Sequence, residues 1–348
     1  MADTSRDHRL QRVRWYKKES AYGSQISDGE ATSILAVMEP GNQPWSRLPK
    51  IGNDRGTLGK GHEFASTLRR VLGWDSRVTE NFSGSAEMMG WYAAFGMGSL
   101  STTSLGGGLY RHDCTALPQS TAVQLPSTSI IDVQGTEGLK SKFSGVCVNK
   151  FNVTGKAGEW FKCTGELIGS GKEDRTTNPT VPSASVFSPL KFTEIGTFTI
   201  GASASEVTQI TRLREVTQCE WDNDLLNERG YQAGATENDG GPIRSRLEFG
   251  MRNFMFKAVL DAGNAANLEW TAHAGQTLYG LTLTATHTDS SAIFKIVIPE
   301  CYIIAEPKFD GNVKVYEVAF DGRYVTANTG PCKISVTNTV ASMLTAAA

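Results

Sequence analysis

Apolar and polar residues alternate along much of this chain. The clearest case runs from Phe143 to Gly169, FSGVCVNKFNVTGKAGEWFKCTGELIG. Phe151 and Val153 fall on one side of a strand, with Asn152 on the other. Beyond the two glycines of TGKAG (Thr154–Gly158), Phe161, Cys163 and Leu167 share one side, and Lys162, Thr164 and Glu166 share the opposite one. Side chains alternate across a strand, and glycine lets a chain reverse. The stretch therefore predicts an antiparallel hairpin with one apolar face and one wet face. The wet face comprises Lys150, Asn152, Lys162, Thr164 and Glu166.

The same reading predicts further strands at Ser33–Met38, Ser76–Gly84, Gly108–Leu117, Arg244–Asn253, Leu278–His287, Ala292–Glu306 and Asn312–Gly322. Leu247, Phe249 and Met251 share one side of the fourth of these, and Glu306–Asn312 turns the chain between the last two. A helix is predicted at Ser85–Gly98. Ser85 suits its cap, Glu87 suits the positive end of the helix dipole, and Met88, Trp91, Tyr92 and Phe95 form an apolar stripe. Gly96 and Gly98 end it. A second, shorter helix is expected at Asn253–Gly263.

These elements divide the chain. Residues 1–55 read as an N-terminal arm with one strand, and residues 176–189, rich in Pro, Ser and Thr, as a linker. On either side, residues 56–175 and 190–330 each run strand, helix, strand, hairpin, which predicts a duplicated β-rich unit followed by a tail at 331–348. Cys219–Ser245 joins two predicted strands and is rich in Gly, Asn and acidic residues. Connections of that length are functional or disordered, so it reads as a projecting loop.

Composition narrows the function. With 34 Lys and Arg against 36 Asp and Glu, the net charge is -2, which argues against a chain that grips nucleic acid through a basic surface. There is no apolar run long enough for a membrane helix, and the first residues do not form a secretory signal. The six cysteines stand singly and read as reduced thiols; Cys147 and Cys163 lie on the facing strands of the hairpin, where small half-buried residues are expected rather than a bridge.

No catalytic constellation is legible. GTLGKGHE (Gly56–Glu63) lacks phosphate-loop spacing, and the five histidines have no metal-ligand spacing. Asp222, Asn223 and Asp224 offer oxygens, yet the glycine and glutamate of a calcium loop are missing. No G-x-S-x-G is present. The expectation is a protein that is not an enzyme and takes no cofactor. A β-rich chain with exposed strand edges must have those edges covered, and subunits joined in a ring achieve this.

Several segments in order resemble the tail tube proteins (major tail proteins) of long-tailed bacteriophages. They are WYKKESAYGSQ, SAEMMGWYAAFGMGS, GGGLYRHDCTALP, the hairpin ending in ELIG, VTQCEWDND, RSRLEFGMRNF and FKIVIPECYI, spread over roughly residues 14–325. The resemblance implies a mainly β fold, an antiparallel β-sandwich or barrel with flanking short helices. It implies a virion structural protein, made in the host cytoplasm and located in the tail. Its rings, trimers with pseudo-sixfold symmetry or hexamers, would stack around a lumen that holds the tape measure protein and later passes DNA. Tail terminator and tail tip proteins are the further implied partners, with no membrane. The duplicated halves favour the trimer.

On this reading Asp222, Asp224, Glu228, Arg229, Glu237 and Asp239 belong to an inter-ring loop. Arg9, Arg12, Arg14, Trp15, Lys17 and Lys18 belong to an arm that orders on a neighbouring subunit. The polar hairpin face lies on the lumen or on the outer wall, and its lysines favour the outer wall. The alternatives are another β-sandwich virion protein, for capsid decoration or tail completion, and a carbohydrate-active β-protein, for which no carboxylate pair is legible.

Overall fold

The computed structural model describes residues 13–26, 34–37, 45, 47–53, 69–118, 124–133, 140–174, 187–202, 206–225, 231–236, 242–262, 266–309, 315–325 and 330–344. In chain order the first strands are β1 (Val13–Lys18), β2 (Ile34–Val37), β3 (Arg47–Asn53) and β4 (Arg69–Ser83), followed by helix α1 (Ala86–Met97). Next come β5 (Gly98–Gly106), β6 (Leu109–Ala116), β7 (Thr128–Val133), β8 (Lys140–Lys156), β9 (Lys162–Gly169) and β10 (Lys172–Asp174). After these lie β11 (Ile195–Ala202), β12 (Val207–Thr208), β13 (Leu213–Asp222), β14 (Tyr231–Thr236), β15 (Pro242–Arg244) and β16 (Asn253–Asp261). Helix α2 (Ala266–Gly275) precedes β17 (Tyr279–Thr286), β18 (Ile293–Ile303), β19 (Lys308–Phe309), β20 (Val315–Gly322) and β21 (Lys333–Asn338).

The fold is mainly β, and its strands pair antiparallel. One layer runs β3–β4–β9–β8–β13–β16–β20, with β19 beyond β20. The other runs β12–β11–β17–β18–β21–β6–β5. The far end of β18 crosses to pair with β20 and so joins the two layers. The first part of β8 leaves its layer to pair with β7 and β10, and β7 carries β1 and then β2. The layers face each other through aromatic side chains: Phe198 of β11 lies 6.5 Å from Phe256 of β16, which lies 6.2 Å from Phe320 of β20.

Helix α1 fills the space between the layers at the other end of the sandwich. All twelve of its residues are buried, so the predicted apolar stripe is in fact an apolar surface all round. Close approach on both sides depends on glycine. A Cβ on Gly90 would come within 2.5 Å of Val336 in β21, and one on Gly96 within 3.0 Å of Phe151 in β8. The tightest site is Gly165 of β9, where a Cβ would lie 1.9 Å from the Tyr92 ring. A buried helix must also satisfy its end groups internally. Ser85 accepts from the Met88 amide at 3.2 Å, and Gly98 adopts the left-handed conformation with its N–H on the Ala94 carbonyl. The Gly96 carbonyl accepts from Trp221 Nε1 at 3.1 Å and from Asn223 Nδ2 at 2.8 Å.

Several elements depart from the sequence expectation. The helix expected at Asn253–Gly263 is strand β16. Phe254, Phe256, Ala258 and Leu260 are buried and alternate with more exposed neighbours, a period of two that pairing with β13 and β20 enforces. The second helix instead occupies Ala266–Gly275. The strand expected at Arg244–Asn253 is an irregular run that touches its neighbours through isolated bridges at Glu248 and Phe249. Met251 does not share the burial of Leu247 and Phe249; it is 86% exposed. The 331–348 tail supplies β21, which sits between β18 and β6. Most of the expected 176–189 linker, residues 176–186, lies outside the described residues. Strands from both expected halves share one layer through the β8–β13 pairing. Their helices also differ in setting, since α2 is held by a buried cluster of Arg212, Glu269 and Tyr316, with Arg212 Nη1 3.0 Å from Glu269 Oε1.

Replacing Gly165 by Ala is expected to destabilise the fold by ~1–3 kcal/mol or more, because the added methyl group would strike the buried Tyr92 ring. Gly196→Ala, where an added methyl group meets nothing within 4 Å, is the control and is expected to stay within about 0.5 kcal/mol of the parent. Urea unfolding midpoints of the two variants make the comparison.

Candidate functional site

The outward face of the first layer is largely polar from β4 to β20. Strand pairing places Asn81, Thr164, Asn152, Glu220, Met255 and Asp321 in a row across β4, β9, β8, β13, β16 and β20. Thr79, Glu166, Lys150, Asp222 and Asn253 form the adjacent row. The inward alternates are core residues: Phe151, Val153, Cys163, Leu167, Cys219 and Trp221 are each at most 1% exposed. The hairpin of β8 and β9 therefore has the two faces its sequence predicts, and its wet face is the centre of the surface.

Each predicted hairpin residue has a partner there. Lys150 Nζ lies 2.9 Å from Glu220 and 3.7 Å from Asp222. Its hydrogen bond to Glu220 pushes the lysine pKa up, so the stabilisation is complete at neutral pH and is lost only as pH rises past the ordinary lysine range. Asn152 Oδ1 accepts from the Cys219 amide at 2.9 Å, at the irregularity in the β8–β13 register. Thr164 donates to Asn81 at 2.9 Å, Glu166 lies 3.7 Å from Arg77, and Lys162 lies 3.4 Å from Glu159.

The neighbouring charges follow the same rule. Arg214 Nε donates to Asp261 at 2.7 Å, and this bond holds the Asp261 carboxyl below its usual range. Lys156 stands opposite Glu215 in the register. Lys257 stands opposite Ala319, so Glu317 and Asp321 are its diagonal neighbours. Lys150, Lys162, Arg77 and Arg214 are thus each paired with a carboxylate, and Lys156 and Lys257 have carboxylates at neighbouring register positions. Sequence analysis of the hairpin did not find Arg77, Glu220, Lys257 or Asp321 as members of this face. The available signal was their alternation with buried residues, but the order of strands that unites them is not local.

The base of the expected inter-ring loop is anchored to the body. Asp222 joins the Lys150 pair and accepts from the Asp224 amide at 2.9 Å, while Asp224 is exposed with φ 48°. Asn223 between them points inward and is fully buried on α1 and β8, which removes it from any oxygen cage. Glu228, Arg229, Glu237 and Asp239 lie outside the described residues. The segment is not a bare loop: β14 and β15 pair as a hairpin, with Tyr231 opposite Arg244. Tyr231 donates to the Trp74 carbonyl at 2.8 Å, and its ring lies 4.8 Å from the Arg244 guanidinium. Arg244 is buried and donates to the Gly169 carbonyl at 2.8 Å and to Asp75 at 2.7 Å.

The expected arm also differs. Arg14, Trp15, Lys17 and Lys18 lie in β1, which is already hydrogen-bonded between β2 and β7 of the same chain. Arg9 and Arg12 lie outside the described residues. Just beyond β1, Glu19 is buried and accepts from Ser127, Ser129, Gly23 and Gly145 at 2.7–2.9 Å, which pins the chain to β7 and β8. Burial raises the Glu19 pKa against those four donors.

Among the described residues, no three His, Cys, Asp or Glu side chains gather as a metal site, and no helix is long and apolar enough to cross a membrane. All six cysteines are free and buried, and burial pushes their thiols up. Cys147 faces Ile168 and Cys163 faces Val153 across the hairpin. A scan against known protein families finds no match to this chain, and a search of curated proteins returns none.

Arg244→Ala is expected to release the β14–β15 hairpin while the sandwich stays folded. It removes charge-assisted bonds worth about 1.5–3 kcal/mol in general. Limited proteolysis should then cut between residues 226 and 241 at least several-fold faster than in the parent, with the far-ultraviolet spectrum unchanged.

Proposed function

We propose that this chain is a structural subunit of a bacteriophage tail tube, built to self-assemble into stacked rings around a DNA path. The observation that carries the reading is the charge-balanced face of the first layer. A wall beside passing DNA must be wet, yet it must not offer free cations to phosphates, because each neutralised phosphate adds salt-dependent affinity. On this face Lys150, Lys162, Arg77 and Arg214 are all held by carboxylates of the same chain. Because these lysines are neutralised, the preference for the outer wall that they carry in sequence disappears, and we assign the face to the lumen.

The segments that resemble tail tube proteins support the same reading, as do the outer edges of β3, β5 and β12, each paired on one side only among the described residues. An uncovered edge is a hazard for a free monomer and a joint in an assembly. Stacked rings would bring the tape measure, terminator and tip proteins into contact with the same tube. The segment that carries the β14–β15 hairpin is acidic in sequence, and we assign it the contact with a neighbouring ring.

Electron microscopy of the purified chain is expected to show hollow striated tubes with ring-shaped end views, and the chain is expected in the tails of purified virions. Finding it on the head, or in closed particles without a lumen, would sink the reading. The lumen assignment has its own test. Glu220→Gln with Asp222→Asn should free Lys150 and create DNA affinity at low salt that the parent lacks. The log–log salt slope should steepen by about 0.9 for one added phosphate contact. Equal DNA binding by parent and variant would refute the role assigned to the paired carboxylates.

A further inference from the structure

A cavity of about 590 Å³ opens at one end of the first layer, where β13 and β20 finish and β16 begins. That volume falls in the range of sites for small organic molecules, about 300–1,000 Å³. Trp221 and Phe254 reach it from the core, with Pro331 beside them. Met251 and Tyr324 complete the lining and remain 86% and 56% exposed.

Arg252 is the one charged residue in the lining. Its guanidinium lies 4.1 Å from the Phe249 ring centre and 5.9 Å from that of Trp221. Its Nη1 is buried and has no hydrogen-bond acceptor, and no carboxylate pairs with it among the described residues. Asp222, close to it in the strand register, is engaged with Lys150, and Asp321 stands opposite Met255. The buried guanidinia of Arg212 and Arg244 are bonded to carboxylates, so Arg252 departs from the pattern of its own chain.

The state of these groups defines what the cavity can take. A guanidinium donor that is buried and unmet is costly, and an anionic acceptor removes that cost with a charge-assisted bond. Burial also pulls the Arg252 pKa below the ordinary arginine value, which an anion at Nη1 would offset. The Trp221 indole N–H is already spent on the Gly96 carbonyl and on Asn223. The ring therefore offers the cavity an apolar surface and no donor. One open cationic donor beside aromatic walls matches a ligand with one negative group and an apolar body.

We propose that this cavity is a binding site for a small, flat apolar molecule bearing a single oxyanion, a carboxylate, sulfonate or phosphate. The oxyanion sits on Arg252 Nη1 and the apolar body lies against Trp221 and Phe254. The site is independent of the tail tube reading, which stands or falls on the assembly experiments.

Calorimetric titration of the full chain with 2-naphthoate and with 2-naphthamide tests this, since the two probes share their rings and differ in charge. The parent is expected to bind the naphthoate about tenfold or more tightly than the amide. Arg252→Gln should weaken naphthoate binding by about the same factor and leave the amide unchanged. Unchanged amide binding shows that the cavity survives the substitution. Inorganic phosphate, which has the charge and no apolar body, should not displace the naphthoate at equal concentration. Equal affinity of the two probes for the parent, no heat from either, or naphthoate binding that Arg252→Gln leaves intact overturns the inference. Displacement by equimolar phosphate overturns the part assigned to Trp221 and Phe254.

Discussion

The burial of α1 between two sheets is the constraint on which the rest of the molecule depends. An isolated helix places one side in water; this one has none in water. Each of its contacts must therefore fit, and each of its free end groups must find a partner inside the protein. Glycine supplies the fit at positions 90, 96 and 165, where side chains would strike Val336, Phe151 and Tyr92. Trp221 and Asn223 supply the partners at the carboxyl end by bonding to the Gly96 carbonyl. Trp221 lies near the end of β13 and Asn223 just beyond the strand, so satisfying the helix also fixes where the polar loop leaves the body.

From that fixed point the surface follows. Since Trp221 must face α1, Glu220 and Asp222 face outward beside Lys150. Exposed pairs of this kind contribute only about 0–1 kcal/mol each, so their stability value is small. Their larger effect is on the field of the sheet, where they neutralise Lys150, Lys162, Arg77 and Arg214. The same economy makes Arg252 conspicuous: its aromatic neighbours are in place and its anionic partner is not.

The hairpin of β8 and β9 was legible in the sequence because alternation and turn glycines act over a few residues. Its buried and exposed sides, the cap at Ser85 and the stop at Gly98 all match the chain read alone. Strand β16 was not legible. NFMFKAVLDAG has helix-forming residues and an apolar spacing that fits either period, and only pairing with β13 and β20 decides for a strand. Strand β5 was missed for the opposite reason: SLSTTSLG has no buried alternation, because most of it is exposed on both faces. The site divides in the same way. Lys150, Asn152, Lys162, Thr164 and Glu166 were found from the hairpin, whereas Arg77 and Asp321 join them only through strand order.

The sequence by itself determined the mainly β character, the helix between its caps, the unbridged thiols and the two-faced hairpin, since each depends on residues near in the chain. Tertiary structure alone decided which strands stand side by side, that β21 enters the second layer from the far end of the chain, and that Lys150, Lys162, Arg77 and Arg214 each meet a carboxylate. The reason is physical. Local period and capping are set by backbone geometry within a few residues. Neighbours across a sheet are set by packing around a shared core, between segments such as β6 and β21 that lie more than two hundred residues apart.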